Sequence, residues 1–141
     1  MAFMFENLAV YQKAVDFIDQ VTDLTREFPR GFYYLTDQLN RASLSFATNL
    51  AEGNGRFTKR DRRNFFIIAR GSAQECIPLL EIARRKGLIE EPVVGGCRDQ
   101  LEVIAKMISS LINGLENRQE QRSEPSALRA AALLAESPAR R

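Results

Sequence analysis

The sequence predicts an all-α protein that folds as an up-down-up-down antiparallel four-helix bundle. Apolar side chains recur at intervals of three and four residues through most of the chain, which places them on one face of a helix. Four such stretches are separated by short segments that contain glycine or proline. No alternating pattern typical of a β-strand competes with this interpretation.

The first two helices end at recognisable breaks. An apolar stripe over residues 8–24 predicts the first helix, which ends at Phe28-Pro29-Arg30-Gly31. The second helix is expected from about Tyr34 to Glu52. Gly53-Asn54-Gly55 follows it, and glycine favours the left-handed conformation that often closes a helix.

The third helix is expected from about Thr58 to Lys86, with Thr58 as its N-cap and Gly87 closing it. A turn over residues 91–96 then leads into the fourth helix, whose apolar residues lie between Leu101 and Leu115. The inward stripe of the third helix is predicted to contain Phe65, Ala69, Ser72, Ala73, Cys76, Leu80 and Ala83.

Domain boundaries follow from a change of composition near residue 118. Residues 1–118 carry the helical pattern and are assigned to the four-helix bundle. Residues 119–141 are rich in Ala, Arg, Glu and Ser and contain no aromatic residue. This segment is predicted to form a flexible or partly helical C-terminal tail.

Composition argues against catalytic and metal-binding functions. The chain has no histidine, so it lacks the commonest general base and the commonest zinc ligand. Cys76 and Cys97 lack metal-ligand spacing and are interpreted as reduced thiols. We expect no enzymatic activity, no cofactor and no metal. A cytoplasmic location is expected, since neither a signal peptide nor an apolar stretch of membrane-spanning length is recognisable.

A row of polar side chains follows the second helix within roughly 80° of arc. Three interpretations are open: a solvated edge, a structural network that also includes Glu75, and a site in which Glu52 is a catalytic acid. The structural network is favoured, because buried charged groups need polar partners. The row consists of Gln38, Arg41, Ser45, Asn49 and Glu52.

Charge is distributed unevenly along the chain. Residues 56–86 carry 9 basic and 3 acidic side chains, whereas residues 1–55 carry 4 and 7, and residues 87–118 carry 3 and 5. The middle segment is therefore basic between two acidic neighbours. If the helical phase is extended back from Thr58, five basic residues fall within about 100° of arc, and Arg62 falls outside it, nearer the inward side. These five are Arg56, Lys59, Arg60, Arg63 and Arg70.

Two interpretations of this basic face are open. It is either the solvated face of an amphipathic helix, or a phosphate-binding surface formed mainly by arginines, whose planar guanidinium groups match phosphate oxygens. Only Asp61 offsets the run from Arg56 to Arg63, which favours phosphate binding. Phe57, Phe65 and Phe66 interleave with the basic residues, and an exposed ring among them would be able to stack on a base.

Several motifs resemble one protein family over roughly residues 3–115. The family is a group of four-helix bundles that includes bacterial proteins encoded in intervening sequences of 23S ribosomal RNA genes, often labelled ribosomal. The accessory protein of diversity-generating retroelements is similar. The matching blocks are Phe5-x-x-Leu8, Tyr11-Gln12-Lys13-Ala14, Phe28-Pro29, Gln38-Leu39-x-Arg41-Ala42-x-x-Ser45, Asn49-Leu50-Ala51-Glu52-Gly53 and Ala69-Arg70-Gly71-Ser72-Ala73-x-Glu75.

The resemblance implies a cytosolic, non-catalytic bundle that assembles as a barrel-like homopentamer. It also implies a basic surface, which in the retroelement accessory proteins serves nucleic acid and reverse transcriptase. The family's internal polar network maps onto Gln38, Arg41, Ser45, Asn49, Glu52 and Glu75.

Two functions are expected from these observations. The first is a ring-like homo-oligomer that binds RNA or DNA through Arg56, Lys59, Arg60, Arg62, Arg63 and Arg70. The alternative is a protein-interaction scaffold with no direct nucleic-acid contact, in which the basic face only sets the charge of a partner protein. The sequence does not choose between RNA and DNA.

Overall fold

The computed structural model describes the backbone of residues 4–136 and the side chains of residues 4–115. Two short 3₁₀ turns, Met4–Asn7 and Arg30–Phe32, precede the first and second of four α-helices. Over the described residues the chain contains no strand. The helices are α1 Ala9–Arg26, α2 Tyr33–Asn54, α3 Lys59–Arg85 and α4 Glu91–Glu136.

Each helix packs against two others, so that α1, α2, α3 and α4 follow one another around the bundle and α4 returns to α1. Neighbours in the chain run antiparallel. Asn40 of α2 donates a hydrogen bond to Thr25 near the end of α1, at 3.0 Å, whereas Phe17 in the middle of α1 packs on Phe46 further along α2. The predicted all-α fold of four packed helices is confirmed.

The core is formed by the apolar face that each helix turns inward, and the predicted stripe of α3 is confirmed at all but its first and third positions. Ala69, Ala73, Cys76, Leu80 and Ala83 are fully buried. Ser72 is half-buried and forms a hydrogen bond to α2.

The assignment of Phe65 to the core is wrong, because Phe66 occupies that place. Phe66 is 3% exposed, whereas Phe65 is half-buried. Helical phase permits either ring to point inward. Gly53 lies against the Phe66 ring: a Cβ placed there would stand 2.9 Å from Phe66 Cε1, and also 2.9 Å from Phe65 Cβ. The missing side chain leaves the space that this ring fills.

The predicted ends of α3 are confirmed. Thr58 precedes the helix, and its Oγ1 accepts a hydrogen bond from the backbone N–H of Asp61 at 3.1 Å. Gly87 follows the helix with a φ of 75°, in the left-handed region that glycine adopts without strain. Pro78 lies inside α3, which continues on both sides of it.

Two expected breaks are wrong. Gly53 and Asn54 belong to α2, and Gly55 closes it with a right-handed φ of −89°, so no left-handed residue ends this helix. The segment 91–96 is helical, because α4 begins at Glu91. Pro92 is tolerated there because the first turn of a helix has no intrahelical partner for its backbone donors.

The α4 backbone continues past residue 118 as far as Glu136. Residues 137–141 lie outside the described residues, as do the side chains beyond residue 115. The domain boundary at residue 118 and the flexibility of the segment 119–141 therefore stay predictions.

Candidate nucleic-acid interface

The connection between α2 and α3 is a tight corner fixed by backbone and side-chain hydrogen bonds. The N–H of Arg56 donates to the carbonyl of Gly53 at 3.3 Å, and Thr58 caps the next helix. Arg62 Nε reaches back to the carbonyl of Arg56 at 2.7 Å. Five basic residues stand at this connection, and we call them the basic corner: Arg56, Lys59, Arg60, Arg62 and Arg63.

Arg56 is held against the protein surface. Its Nη2 lies 3.5 Å from Glu52 Oε2, and its guanidinium carbon lies 4.6 Å from the centre of the Phe65 ring. A cation over an aromatic face is attracted by the negative electrostatic potential of that face. Its Nε is buried and has no hydrogen-bond partner among the described residues. Arg56 therefore orders the corner as well as adding charge to it.

The other basic residues differ in exposure. Arg60, Arg63 and Arg70 are exposed, whereas Lys59 and Arg62 are half-buried. Arg60 and Arg70 form no salt bridge with any side chain between residues 4 and 115. Arg70 lies about 10 Å further along the axis of α3 than Arg63. The structure thus brings five predicted residues to one end of the bundle and leaves Arg70 apart from them.

The basic corner also lies at the positive end of the α3 dipole. Lys59, Arg60, Arg62 and Arg63 lie in the first turns of this helix. The N-terminus of a helix carries a partial positive charge, so cations there are unfavourable and anions are stabilised. Among the first-turn residues only Asp61 is acidic. The arrangement concentrates positive charge at a place that favours an anion.

At the opposite end of α3 the basic charge is compensated. Arg84 Nη2 lies 2.6 Å from Glu81 Oε1, and Arg84 Nε lies 3.2 Å from Glu91 Oε2. Arg85 also reaches Glu81, at 3.4 Å. The hydrogen bond from Arg84, followed by the charges of Arg84 and Arg85, lowers the pKa of the Glu81 carboxyl to about 2. Arg84 and Arg85 are thus held in salt bridges, whereas Arg60 near the start of α3 forms none with the described side chains.

One aromatic ring stands free at the basic corner. Phe57 is 100% exposed, immediately before the cap of α3. Phe66 is buried in the core, and the face of the Phe65 ring contacts the Arg56 guanidinium. Of the three rings that interleave with the basic residues, Phe57 is therefore the exposed one.

Part of the polar row on α2 forms hydrogen bonds toward α3. Ser45 and Ser72 share a hydrogen bond between their hydroxyl oxygens at 2.7 Å. Asn49 Nδ2 donates to the carbonyl of Ser45 at 2.8 Å and to its hydroxyl at 3.1 Å. Ser72 was predicted to belong to the apolar stripe of α3. A serine in that stripe was the feature of the sequence from which a contact with the polar row of α2 could have been predicted.

Gln38 and Arg41 of the polar row, together with Glu75, line a groove between α2 and α3. Arg41, Glu52 and Glu75 are exposed, and Gln38 is half-buried. Glu52 pairs with Arg56, as described above. That these residues join one network stays a prediction. The groove has a volume of about 370 Å³ and is lined by Gln38, Arg41, Ala42, Leu44, Ser45, Thr48 and Glu75.

Three further findings concern other kinds of site. Cys76 and Cys97 are free and buried; burial above all raises the pKa of Cys76 to about 12, and burial raises that of Cys97. Within residues 4–115 no group of three or more acidic or cysteine side chains is placed to hold a metal ion. No described helix combines the length and the apolar character needed to cross a membrane.

Comparisons with known proteins agree with this architecture. A crystal structure from Bacteroides thetaiotaomicron, of a protein with unknown function from the S23 ribosomal protein family, superposes with a TM-score of 0.70 at 22% identity. The match covers 78% of this chain and 99% of the other. No curated protein matches significantly. The family model of the 23S rRNA-intervening sequence proteins matches residues 6–110, and the chain therefore belongs to that family.

Proposed function

We propose that this protein is a non-enzymatic homo-oligomer that binds nucleic acid through the basic corner and Arg70. The observation that carries the proposal is the concentration of basic side chains at the N-terminal end of α3, where only Asp61 is acidic in the first turn. Arg60 and Arg70 have no acidic partner among the described side chains, whereas Arg84 and Arg85 at the other end of the helix are paired.

The chemistry of the corner suits a phosphate backbone. Four of its five basic residues are arginines, whose guanidinium groups form paired hydrogen bonds to phosphate oxygens. A phosphate placed there also meets the positive end of the α3 dipole. Binding of this kind releases counterions from the nucleic acid and is therefore weakened by salt. It is independent of base sequence in its electrostatic part.

The groove between α2 and α3 supports the oligomeric part of the proposal. Leu44 is 51% exposed beside it, and Ile68, one helical turn before Ser72 on α3, is also 51% exposed. Large apolar side chains beside the polar groups of Gln38, Arg41 and Glu75 suit a contact between subunits. The assembly would be the ring-like homopentamer that the family resemblance implies, in the cytoplasm.

Charge reversal tests the nucleic-acid surface. The variant Arg60→Glu/Arg63→Glu should bind a structured RNA and a duplex DNA at least tenfold more weakly than the wild type at low salt. A matched control, Lys13→Glu/Lys106→Glu, changes the net charge by the same amount on exposed positions of α1 and α4. If both variants weakened binding equally, the change in net charge alone would account for the effect. Equal binding by wild type and the α3 variant would exclude the basic corner.

A protein-interaction scaffold is the second candidate function. The exposed apolar side chains of α2 and α3, among them Leu44 and Ile68, are the observation that favours it. Co-purification from cell extract, with and without nuclease, separates the two candidates. A stoichiometric protein partner that survives nuclease treatment supports the scaffold, and a partner lost with the nucleic acid supports the first proposal.

A further inference from the structure

Phe57 occupies a position that usually carries a packed apolar side chain. It directly precedes the N-cap Thr58, and in many helices a residue at this point packs on the fourth helical residue. In α3 the fourth residue is Arg62, whose Nε is engaged by the carbonyl of Arg56. Phe57 thus has no apolar partner there, and its ring is 100% exposed.

The corner that presents Phe57 is ordered by bonds on both sides. Before it, the N–H of Arg56 donates to Gly53, and the Arg56 side chain lies on Phe65. After it, Thr58 caps α3. A ring that is fully exposed on an ordered corner gains nothing from hydrophobic burial within the chain.

We infer that Phe57 stacks on an unpaired base, so that the ligand class of the basic corner is single-stranded nucleic acid, or the single-stranded loops of a structured one. The inference rests on the proposed function. The proposed function does not specify the form of nucleic acid that binds. The stacking of Phe57 specifies it, because it predicts a preference for unpaired nucleotides over a continuous duplex.

Charge decides which partner covers the ring. An apolar protein pocket that closed over Phe57 would approach the basic corner without supplying anions, and burying a charged group without a partner is costly. A single strand carries a planar base together with flanking phosphates, so it meets the ring and the guanidinium groups at once. In a continuous duplex both faces of each base are already stacked on neighbours. The ring therefore discriminates between paired and unpaired nucleotides.

The experiment compares a single-stranded RNA of about 12 nucleotides with the same sequence as single-stranded DNA and as a duplex, each carrying the fluorescent base analogue aminopurine. The affinity of Phe57→Ala for the single strands should fall about fivefold or more, with its duplex affinity unchanged. The wild type should quench aminopurine in the single strands, and Phe57→Ala should not. Phe57→Trp should keep both the affinity and the quenching, because it keeps an aromatic face.

Val103→Ala serves as the matched control, since it removes another exposed apolar side chain, on α4. It should leave affinity and quenching unchanged. If Phe57→Ala binds single strands as the wild type does, while Arg60→Glu/Arg63→Glu does not bind, the stacking role is wrong and the proposed function stands. An equal loss on single strand and duplex also overturns the stacking role, as does a smaller oligomeric mass for Phe57→Ala by light scattering. If the wild type binds none of the three ligands, the proposed function itself is wrong.

Discussion

Gly53 lies where α2 comes close to the start of α3. A Cβ at this position would stand 2.9 Å from Phe65 Cβ and 2.9 Å from Phe66 Cε1, closer than packed carbon atoms approach. We expect Gly53→Ala to lower the free energy of unfolding by about 1–3 kcal/mol, because the Phe66 ring must move out of its place. Urea denaturation measures the difference.

Gly71→Ala is the matched control for that substitution. Gly71 is an exposed residue inside α3, and a Cβ there meets no atom within 4 Å. Alanine should raise the free energy of unfolding at this position by about 0.5–1 kcal/mol, since it favours the helix over the unfolded chain. Two glycines that responded alike would contradict the role given to Gly53.

Glu81 gives a prediction about pH. Arg84 and Arg85 lower the pKa of its carboxyl from 4.5 to about 2 in the folded protein, so its ionised form stabilises the fold. That contribution is complete above about pH 4.5 and is lost as the pH falls through about 2. Glu81→Gln should therefore be less stable than the wild type at neutral pH, and the difference should vanish on acidification.

Thermal unfolding over this pH range measures the effect. Glu102→Gln is the control, because the Glu102 carboxylate is exposed and lies 3.9 Å from the exposed ammonium of Lys106. A stability deficit of Glu81→Gln that stayed constant down to pH 2 would exclude the ion pairs as its cause.

At the scale of single residues, the sequence predicted helix-capping residues better than close contacts between two helices. Thr58 and Gly87 were recognised because capping depends on the residue type and on its immediate neighbours. The role of Gly53 was mistaken for a cap, because its small size matters only against Phe66, which lies in the following helix. No local pattern contains that information.

At the scale of one element, α3 depends on its N-cap. Thr58→Ala removes the acceptor for the N–H of Asp61 and should lower the free energy of unfolding by about 1 kcal/mol. Thr58→Ser keeps the hydroxyl and should stay close to the wild type. Chemical denaturation of both variants checks this, and equal stability of the alanine and serine variants would contradict the capping role.

Element boundaries were predictable where polar signals and helical phase agreed. Both ends of α3 match the expectation, since Thr58 and Gly87 mark them. The start of α4 does not, because the two glycines at 95 and 96 read as a turn although they are helical. Packing of Val94 and Cys97 in the core outweighs the low helix propensity of those glycines.

At the scale of the whole molecule, the uneven distribution of charge was visible in the sequence, but the partners of the individual basic side chains were not. The excess between residues 56 and 86 follows from counting. Only the structure shows that Arg84 and Arg85 are paired with Glu81, and that Arg56 rests on Phe65. These partners depend on side-chain direction at helix ends, which spacing alone does not fix.

The groove between α2 and α3 carries the prediction about assembly. If subunits meet there, Leu44→Glu should reduce the oligomer to smaller species at micromolar concentration, because it places a charge in the contact. Light scattering measures the mass, and circular dichroism checks that the helices remain. Val103→Glu, at an exposed apolar site on α4, should keep the wild-type mass. A wild type that is already monomeric would contradict the oligomer itself.

The salt dependence of nucleic-acid binding tests the central claim most directly. Affinity for a duplex and for a single strand should be measured across a series of salt concentrations. If about five basic side chains contact phosphates, the logarithm of the association constant should fall against the logarithm of salt with a slope of roughly −3.5 to −4.5. Arg60→Glu/Arg63→Glu should flatten that slope. Absent binding, or binding that salt does not change, would contradict a phosphate-binding surface at the start of α3.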